Sequence, residues 1–177
     1  MALIFEETLN PWWEQFAITG FPSGLVISGQ VYRGTKYQLT TAQLLALQTT
    51  AVTLVPAPVT GGGISTPPAG FAYYPTRLKA EYVFNSTAFT IANADNAFQI
   101  EYVGKSTALL SMLVTGLVDQ SASTIAVNSV TTPGPKIALA NCANLGLEVK
   151  LIGTTPALTL GNGAVNLFLE YTIIPLF

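Results

Sequence analysis

Sixteen side chains of this 177-residue sequence carry a charge, and acid–base or ligand chemistry must be sought among them. The densest group is Glu6, Glu7 and Glu14. Metal binding or acid–base work needs carboxylates that converge on one point. Adjacent residues on a helix do not face each other, and no second pair stands at a useful spacing, so these three read as a solvated face. Asp95 and Asp119 are the only aspartates. Both lie in segments with turn character, where the default role of an Asp is to bond nearby backbone. Arg77, Lys79 and Glu81 alternate along one segment and suit cross-strand pairs better than a ligand site.

The residues that are missing exclude more. There is no histidine, which removes Ser-His-Asp and Cys-His catalysis and every His-ligated metal site. Cys142 is the single cysteine, so it makes no intrachain disulfide and no thiolate metal site. Set in Ala-Asn-Cys-Ala-Asn with no cation beside it, it reads as a small buried residue rather than a reactive thiolate. Gly61-Gly62-Gly63 lacks the Lys-Ser/Thr of a phosphate loop and sits between prolines. Asn85-Ser86-Thr87 matches a glycosylation acceptor only formally, since no secretion signal accompanies it. A sugar platform built from Tyr73 and Tyr74, with Glu81 or Glu101 as the acid, is the one enzyme-like or carbohydrate-binding arrangement the residues offer. No catalytic, cofactor-binding or metal-ligating residue is assigned, and the expectation is a protein that is not an enzyme.

The elements that would hold these residues are mostly strands. Arg77 to Phe84 alternates Leu78, Ala80, Tyr82 and Phe84 with Arg77, Lys79, Glu81 and Val83, the period of a half-buried strand. The same period sets Phe98, Ile100 and Tyr102 against Gln99 and Glu101, and Leu147, Val149 and Leu151 against Glu148 and Lys150. In the last strand, Val165 to Ile174, it sets Leu167, Leu169, Tyr171 and Ile173 against Phe168, Glu170 and Thr172. Gly161-Asn162-Gly163 predicts a tight hairpin between Leu158-Thr159-Leu160 and that strand. One short helix is predicted over Thr40 to Gln48, capped by Thr40 or Thr41, with Leu44, Leu45 and Leu47 on its apolar side. Turn clusters at residues 61–70, 93–96 and 131–135 separate the strands. The fold class is therefore mainly β: a single antiparallel β-sandwich, jelly-roll-like, with one short helix and an extended N-terminal arm. The domain reading is an arm over 1–38 and a sandwich body over 39–177.

The arm holds both tryptophans and a third of the acids. Asn10-Pro11 suits the start of a short helix, whose aromatic side would be Trp12, Trp13 and Phe16. Phe21 follows in the turn cluster Gly20-Phe21-Pro22-Ser23-Gly24. Two tryptophans exposed on an arm are costly in water, so they must be buried against the chain's own body or a neighbour. Trp12, Trp13, Phe16 and Phe21 are thus the candidate partner-binding residues.

Composition points the same way. Charged residues make up 9% of the chain, against roughly 25% in an ordinary domain. Spread over the roughly 8,300 Å² that a folded chain of this size exposes, that is about one charge per 500 Å². The 22 Thr, 9 Ser, 9 Asn and 7 Gln give a largely neutral polar surface, and other protein chains are expected to cover much of it. Seven basic residues and a net charge of −2 give no nucleic-acid footprint. No stretch offers the ~20 apolar residues of a spanning helix, because Pro, Gly and Asn interrupt every long uncharged run. Acids stand near the start of the sequence, where a secretory signal would be positive, so the expectation is a protein made and kept in a cytosol.

The order of certain segments carries a resemblance. Leu39-Thr40-Thr41-Ala42-Gln43-Leu44-Leu45-Ala46-Leu47 leads into Ala51-Val52-Thr53-Leu54-Val55-Pro56-Ala57-Pro58. Tyr74-Pro75-Thr76-Arg77-Leu78-Lys79-Ala80-Glu81-Tyr82 follows, then Lys136-Ile137-Ala138-Leu139. The sequence closes on Leu-Phe-Leu-Glu-Tyr-Thr-Ile-Ile-Pro at 167–175. Over residues 37 to 177 this resembles small structural proteins of tailed bacteriophages. It departs from them at Val59-Thr60, where glycine usually follows Ala-Pro, and at Gly-Asn-Gly in place of an acidic hairpin. The resemblance implies a capsid decoration (cement) protein: a homotrimer on the capsid surface of the virion, bound to the major capsid protein, with no cofactor, nucleic acid or membrane. A tail, collar or fibre component is the alternative it implies.

Overall fold

In a computed structural model of the chain, the structure describes residues 25–27, 30–55, 71–129, 137–155 and 157–175. Trp12, Trp13, Phe16, Phe21 and the Asn10 cap lie outside the described residues, as do the Gly61-Gly62-Gly63 loop and the 131–135 turn cluster. Eleven strands are described: β1 (Leu25–Ile27), β2 (Gln30–Leu39), β3 (Val52–Val55), β4 (Phe71–Val83), β5 (Thr90–Ile91), β6 (Ala97–Tyr102), β7 (Leu110–Leu113), β8 (Thr124–Ser129), β9 (Leu147–Ile152), β10 (Leu158–Thr159) and β11 (Ala164–Pro175). One helix, α1 (Thr41–Ala46), joins β2 to β3, and a 3₁₀ turn covers Leu139–Asn141.

The strands form two main antiparallel sheets, ordered β1-β2-β11-β4-β8 and β3-β9-β6-β7. The chain passes repeatedly from one sheet to the other, so neighbours within a sheet are mostly not neighbours in sequence. This is the predicted mainly β, antiparallel architecture with a single short helix. The 1–38 boundary is corrected by the pairing. Residues 30–39 form a full strand hydrogen-bonded to β11, and residues 25–27 form the edge beside them, so the sheet begins well inside the segment read as an arm. Gly34-Thr35-Lys36-Tyr37-Gln38-Leu39 alternates too weakly to announce a strand, yet β11 supplies the partner that makes it one.

Alternation sends one set of side chains from each sheet into a common core. From β11 come Val165, Leu167, Leu169, Tyr171 and Ile173, and from β4 come Tyr73, Leu78, Ala80 and Tyr82. The other sheet answers with Phe98, Ile100 and Tyr102 of β6 and Leu147, Val149 and Leu151 of β9. Tyr73 and Tyr171 meet edge to face, with centroids 5.3 Å apart. A proline in a central strand would normally break the ladder. Pro75 is accommodated because the β4–β11 register shifts at Glu170/Tyr171, and the Thr76 hydroxyl there donates to the Glu170 carbonyl at 3.2 Å.

Local chemistry explains the helix. The Gln43 amide donates to Thr40 Oγ1 at 3.3 Å, and the Gln43 side chain accepts the Thr40 amide at 2.9 Å, a reciprocal capping box. Leu44 and Leu47 are fully buried, three residues apart on one face. Leu45, expected on the same side, is 44% exposed, because the next residue along a helix is turned by about 100°.

The predicted Gly-Asn-Gly hairpin does not form. β10 pairs with β5, not with β11. Leu160 and Gly161 take φ of 52° and 82°, which redirects the chain. Asn162 then serves as a clip: its Oδ1 accepts the Ser86 and Thr87 amides at 3.1 and 2.9 Å, and its Nδ2 donates to Ser86 Oγ at 2.7 Å.

Two stability tests follow from this packing. A Cβ on Gly163 would lie closer than any real contact to the Tyr82 ring edge at Cε2 and 2.8 Å from the Val83 carbonyl oxygen, with backbone on one side and a buried ring on the other. Gly163→Ala is expected to cost about 1–3 kcal/mol, read as a lower denaturation midpoint in urea. The second test uses pH. The Tyr102 hydroxyl donates to the Tyr73 carbonyl across the two sheets. Burial first, then Cys142 and Tyr74, push it well above its usual 10.0. Above that pH the unfolded chain sheds this proton while the folded one keeps it. The contribution is therefore whole below pH 10.0 and is lost as pH rises through the elevated folded value. The thermal midpoint should fall with increasing alkalinity, and Tyr102→Phe should lower the neutral-pH midpoint while flattening that alkaline decline.

Candidate functional site

Most of the described charges lie on the outer faces of the two sheets. On the four-stranded sheet, register places Glu148 directly opposite Glu101 and Lys150 opposite Gln99. Like charges facing each other across a strand pair are unfavourable, and here each carboxylate has a separate donor. Gln99 Nε2 donates to Glu101 Oε2 at 2.8 Å, and the Gly104 amide donates to Glu148 Oε1 at 2.9 Å. With Lys105, Lys150 and Asn141 these two glutamates line an open depression of about 530 Å³.

Glu101 and Gln99 were expected on a wetted strand face, but they are 2% and 7% exposed and all six residues of β6 are buried. β6 is an interior strand with β9 and β7 on either side, and Gly104 to Thr107 and Asn141 stand around its outer face. Chemically the depression is a balanced polar recess. No group of three or more Cys, Asp or Glu that could hold a metal is found among the described residues. Cys142 is buried as expected, and burial raises its thiol further from ionisation. Asp119 has the structural role expected of it, with its Oδ1 accepting the Gly116 amide at 2.8 Å.

The proposed sugar platform does not assemble. Tyr73 is fully buried, facing Tyr171 and taking the Tyr102 hydrogen bond on its carbonyl. Only Tyr74 is left on the outer side, half-buried. An alternating strand must turn two consecutive tyrosines to opposite faces.

The outer face of the five-stranded sheet is organised in rows across its strands. Phe168 of β11 stands opposite both Lys36 of β2 and Lys79 of β4. The two ammonium groups flank its ring, with Nζ 5.3 and 4.8 Å from the centroid. Such contacts contribute about 0.5–1 kcal/mol each at exposed sites. In the next row Gln38 donates to Asn166 and Asn166 donates to Glu81, both at 3.2 Å. On the other side Arg77 and Glu170 make a loose, half-exposed ion pair at 3.8 Å, which adds little.

β8 breaks the usual pattern. It turns Ile125 and Val127 outward, 60% and 51% exposed, and keeps Thr124, Ala126 and Asn128 on the inner side. It is the edge strand of its sheet and holds neither a charge nor a proline, the devices that normally blunt such edges. Beside it, at the edge of the other sheet, Leu113 is 57% exposed. Asn128 Nδ2 bonds the Ser111 carbonyl and ties the two edges together. Sequence reasoning missed this apolar strip. Its signal was the alternation in Thr124-Ile-Ala-Val-Asn-Ser129, which identifies a strand without saying which face is wet.

No family model matches the chain, and no curated protein matches it either.

The buried Gln99–Glu101 pair gives a clean test. Gln99→Ala leaves the Glu101 carboxylate buried without its donor and facing Glu148, at an expected cost of about 1–3 kcal/mol in urea unfolding. Glu101→Gln removes one of two opposed charges and keeps a hydrogen-bonding amide. Its midpoint should lie much nearer the parent's than that of Gln99→Ala.

Proposed function

We propose that this chain is a structural subunit that works by covering and linking other protein chains, specifically a capsid decoration protein of a tailed bacteriophage. The observation that carries the reading is the apolar, uncharged strip at the β7–β8 edge, on a molecule with one charge in eleven residues. A side of the sandwich that presents Ile125, Val127 and Leu113 and lacks edge protection is suited to contact with another subunit. The segment resemblance over 37–177 supplies the particle. Trp12, Trp13, Phe16 and Phe21 supply the residue types that dominate such contacts. On this reading the chain is a homotrimer, its partner is the major capsid protein, and its place is the outer capsid surface. It acts by binding only the assembled, expanded shell, which stabilises that state by mass action. No catalysis, cofactor, nucleic acid or membrane enters the reading.

The test is co-sedimentation of the purified protein with expanded and unexpanded heads, alongside quantitative mass spectrometry of native particles. Saturable binding to expanded heads, at a copy number matching a shell-wide lattice, is the expected result. A few copies per particle, recovered with the tail fraction, would assign the chain to the tail, collar or fibre instead.

A further inference from the structure

Strand β8 is uncharged along its whole length, and among the described residues it has a neighbour on one side only, β4. Every second residue of such an edge strand turns its N–H and C=O away from the sheet, unpaired. Another strand satisfies all of them at once, and the sequence of β8 complements itself. Run antiparallel against a second copy with Ala126 facing Ala126, it sets Thr124 opposite Asn128 and Ile125 opposite Val127. Polar residues then meet polar ones on the inner side, and apolar residues meet apolar ones on the outer side. The polar side chains are already bonded within their own chain. Thr124 Oγ1 donates to the Leu117 carbonyl and Asn128 Nδ2 to that of Ser111.

The charges of the neighbouring strand select the register. β4 places Lys79 beside Val127 and Glu81 beside Ile125. With the two-fold axis at Ala126, each outer row runs Glu81, Ile125, then the second copy's Val127 and Lys79. Acid and base thus flank an apolar pair in both rows, on strands three spacings, roughly 14 Å, apart. A two-fold at Val127 would instead put Lys79 at both ends of one row. A two-fold at Ile125 would do the same with Glu81.

We propose that two copies of this chain join edge to edge through β8, antiparallel about a two-fold axis at Ala126, merging their five-stranded sheets into one. The contact brings together Ile125 and Val127 of both copies, which a single chain leaves 60% and 51% exposed. It is isologous, the same patch serving both partners. The inference rests on the reading of this edge as a subunit contact and names the partner as a second copy. A two-fold cannot lie within a three-fold ring, so in a decoration trimer it joins one trimer to the next.

Facing residues of an antiparallel pair have Cα atoms about 4.5–5.5 Å apart, within the span of a disulfide. Ala126→Cys should therefore give a covalently linked pair under mild oxidation, seen as a doubled mass on a non-reducing denaturing gel. Val127→Cys meets its own copy only on the diagonal, roughly 7–8 Å away, and should link at least tenfold more slowly. Mixed with Ile125→Cys, which it faces, it should link readily. Cys142 is buried, so the parent serves as the blank. Without oxidant, the parent should gain mass with concentration in sedimentation velocity, and Ile125→Lys should not. A lysine at position 125 faces Glu81 in its own sheet, so circular dichroism and the thermal midpoint should stay unchanged.

Absence of a linked pair from Ala126→Cys at high concentration overturns the proposal, as does equally fast linking of Val127→Cys. Equal masses of parent and Ile125→Lys at every concentration overturn it too. If that same variant has also lost binding to expanded heads, the edge belongs to the shell, and the decoration role stands without this contact. A parent that pairs through β8 but binds no heads loses the decoration role and keeps the pairing.

Discussion

The fold depends on β11 being held on both sides at once. It pairs with β2 from Val165 to Ile173 and with β4 from Ala164 to Pro175, and it is the middle strand of the larger sheet. Both partners precede it by about 80 residues or more, so the sheet cannot close until this last strand arrives. Loop closure of that length must be offset by the pairing itself, which favours slow, cooperative formation over local assembly. The two faces of β11 then set the rest. Val165, Leu167, Leu169, Tyr171 and Ile173 form a continuous inner stripe of the core, while Asn166, Phe168 and Glu170 arrange the outer polar rows between β2 and β4. One alternating strand fixes the core and organises the surface.

The scarcity of charge has a structural counterpart in how polar groups are used. Neutral amides and hydroxyls fasten the loops where other proteins spend ion pairs. Asn162 holds the Ser86–Thr87 turn, and Gln48 spans to Ala157 and Gly153. Thr41 bonds the Gly163 carbonyl, and Thr124 that of Leu117. Each such bond contributes about 1 kcal/mol and, unlike a surface ion pair, is little affected by salt. Buried Asn96 shows how tight these clips are. Its Nδ2 donates to the Ala157 carbonyl at 2.9 Å, and its side chain fills the space where any Cβ at Gly153 would have to go. A Thr- and Asn-rich sequence is thus what this loop-clamped sandwich requires, as well as what a covered surface permits.

The two outer faces differ in a way that matters for assembly. On the smaller sheet the charges are sunk into a recess and balanced, with Glu101 and Glu148 each tied to a donor and Lys105 and Lys150 nearby. On the larger sheet they stand in open rows and end at an apolar edge. A partner chain would gain little by displacing satisfied bonds on the first face. On the second it would bury hydrocarbon already in water, at roughly 25 cal/mol per Å². That asymmetry directs contact toward the β8 side.

By itself the sequence determined the class of fold, the inward residues of β4, β9 and β11, the helix cap at Thr40, the structural roles of Asp119 and Cys142, and the exclusion of histidine chemistry. These follow from periodicity, local hydrogen bonding and composition, which are properties of short stretches. Only the tertiary structure decided the rest. Period-two alternation says that a strand has two faces, but not whether one of them meets water. Gln99 and Glu101 therefore look solvated until β7, β9 and the flanking loops close around them, and the alternation of β8 does not say that Ile125 and Val127 are the residues turned outward. The same limit applies to Gly161-Asn162-Gly163, whose turn chemistry is local but whose partner, the Ser86–Thr87 loop, lies some 75 residues away. The outward tyrosine of the Tyr73-Tyr74 pair is fixed by which face of β4 meets Tyr102 and Tyr171. Which side of a strand is covered is a property of its neighbours, and the neighbours are chosen by the whole chain.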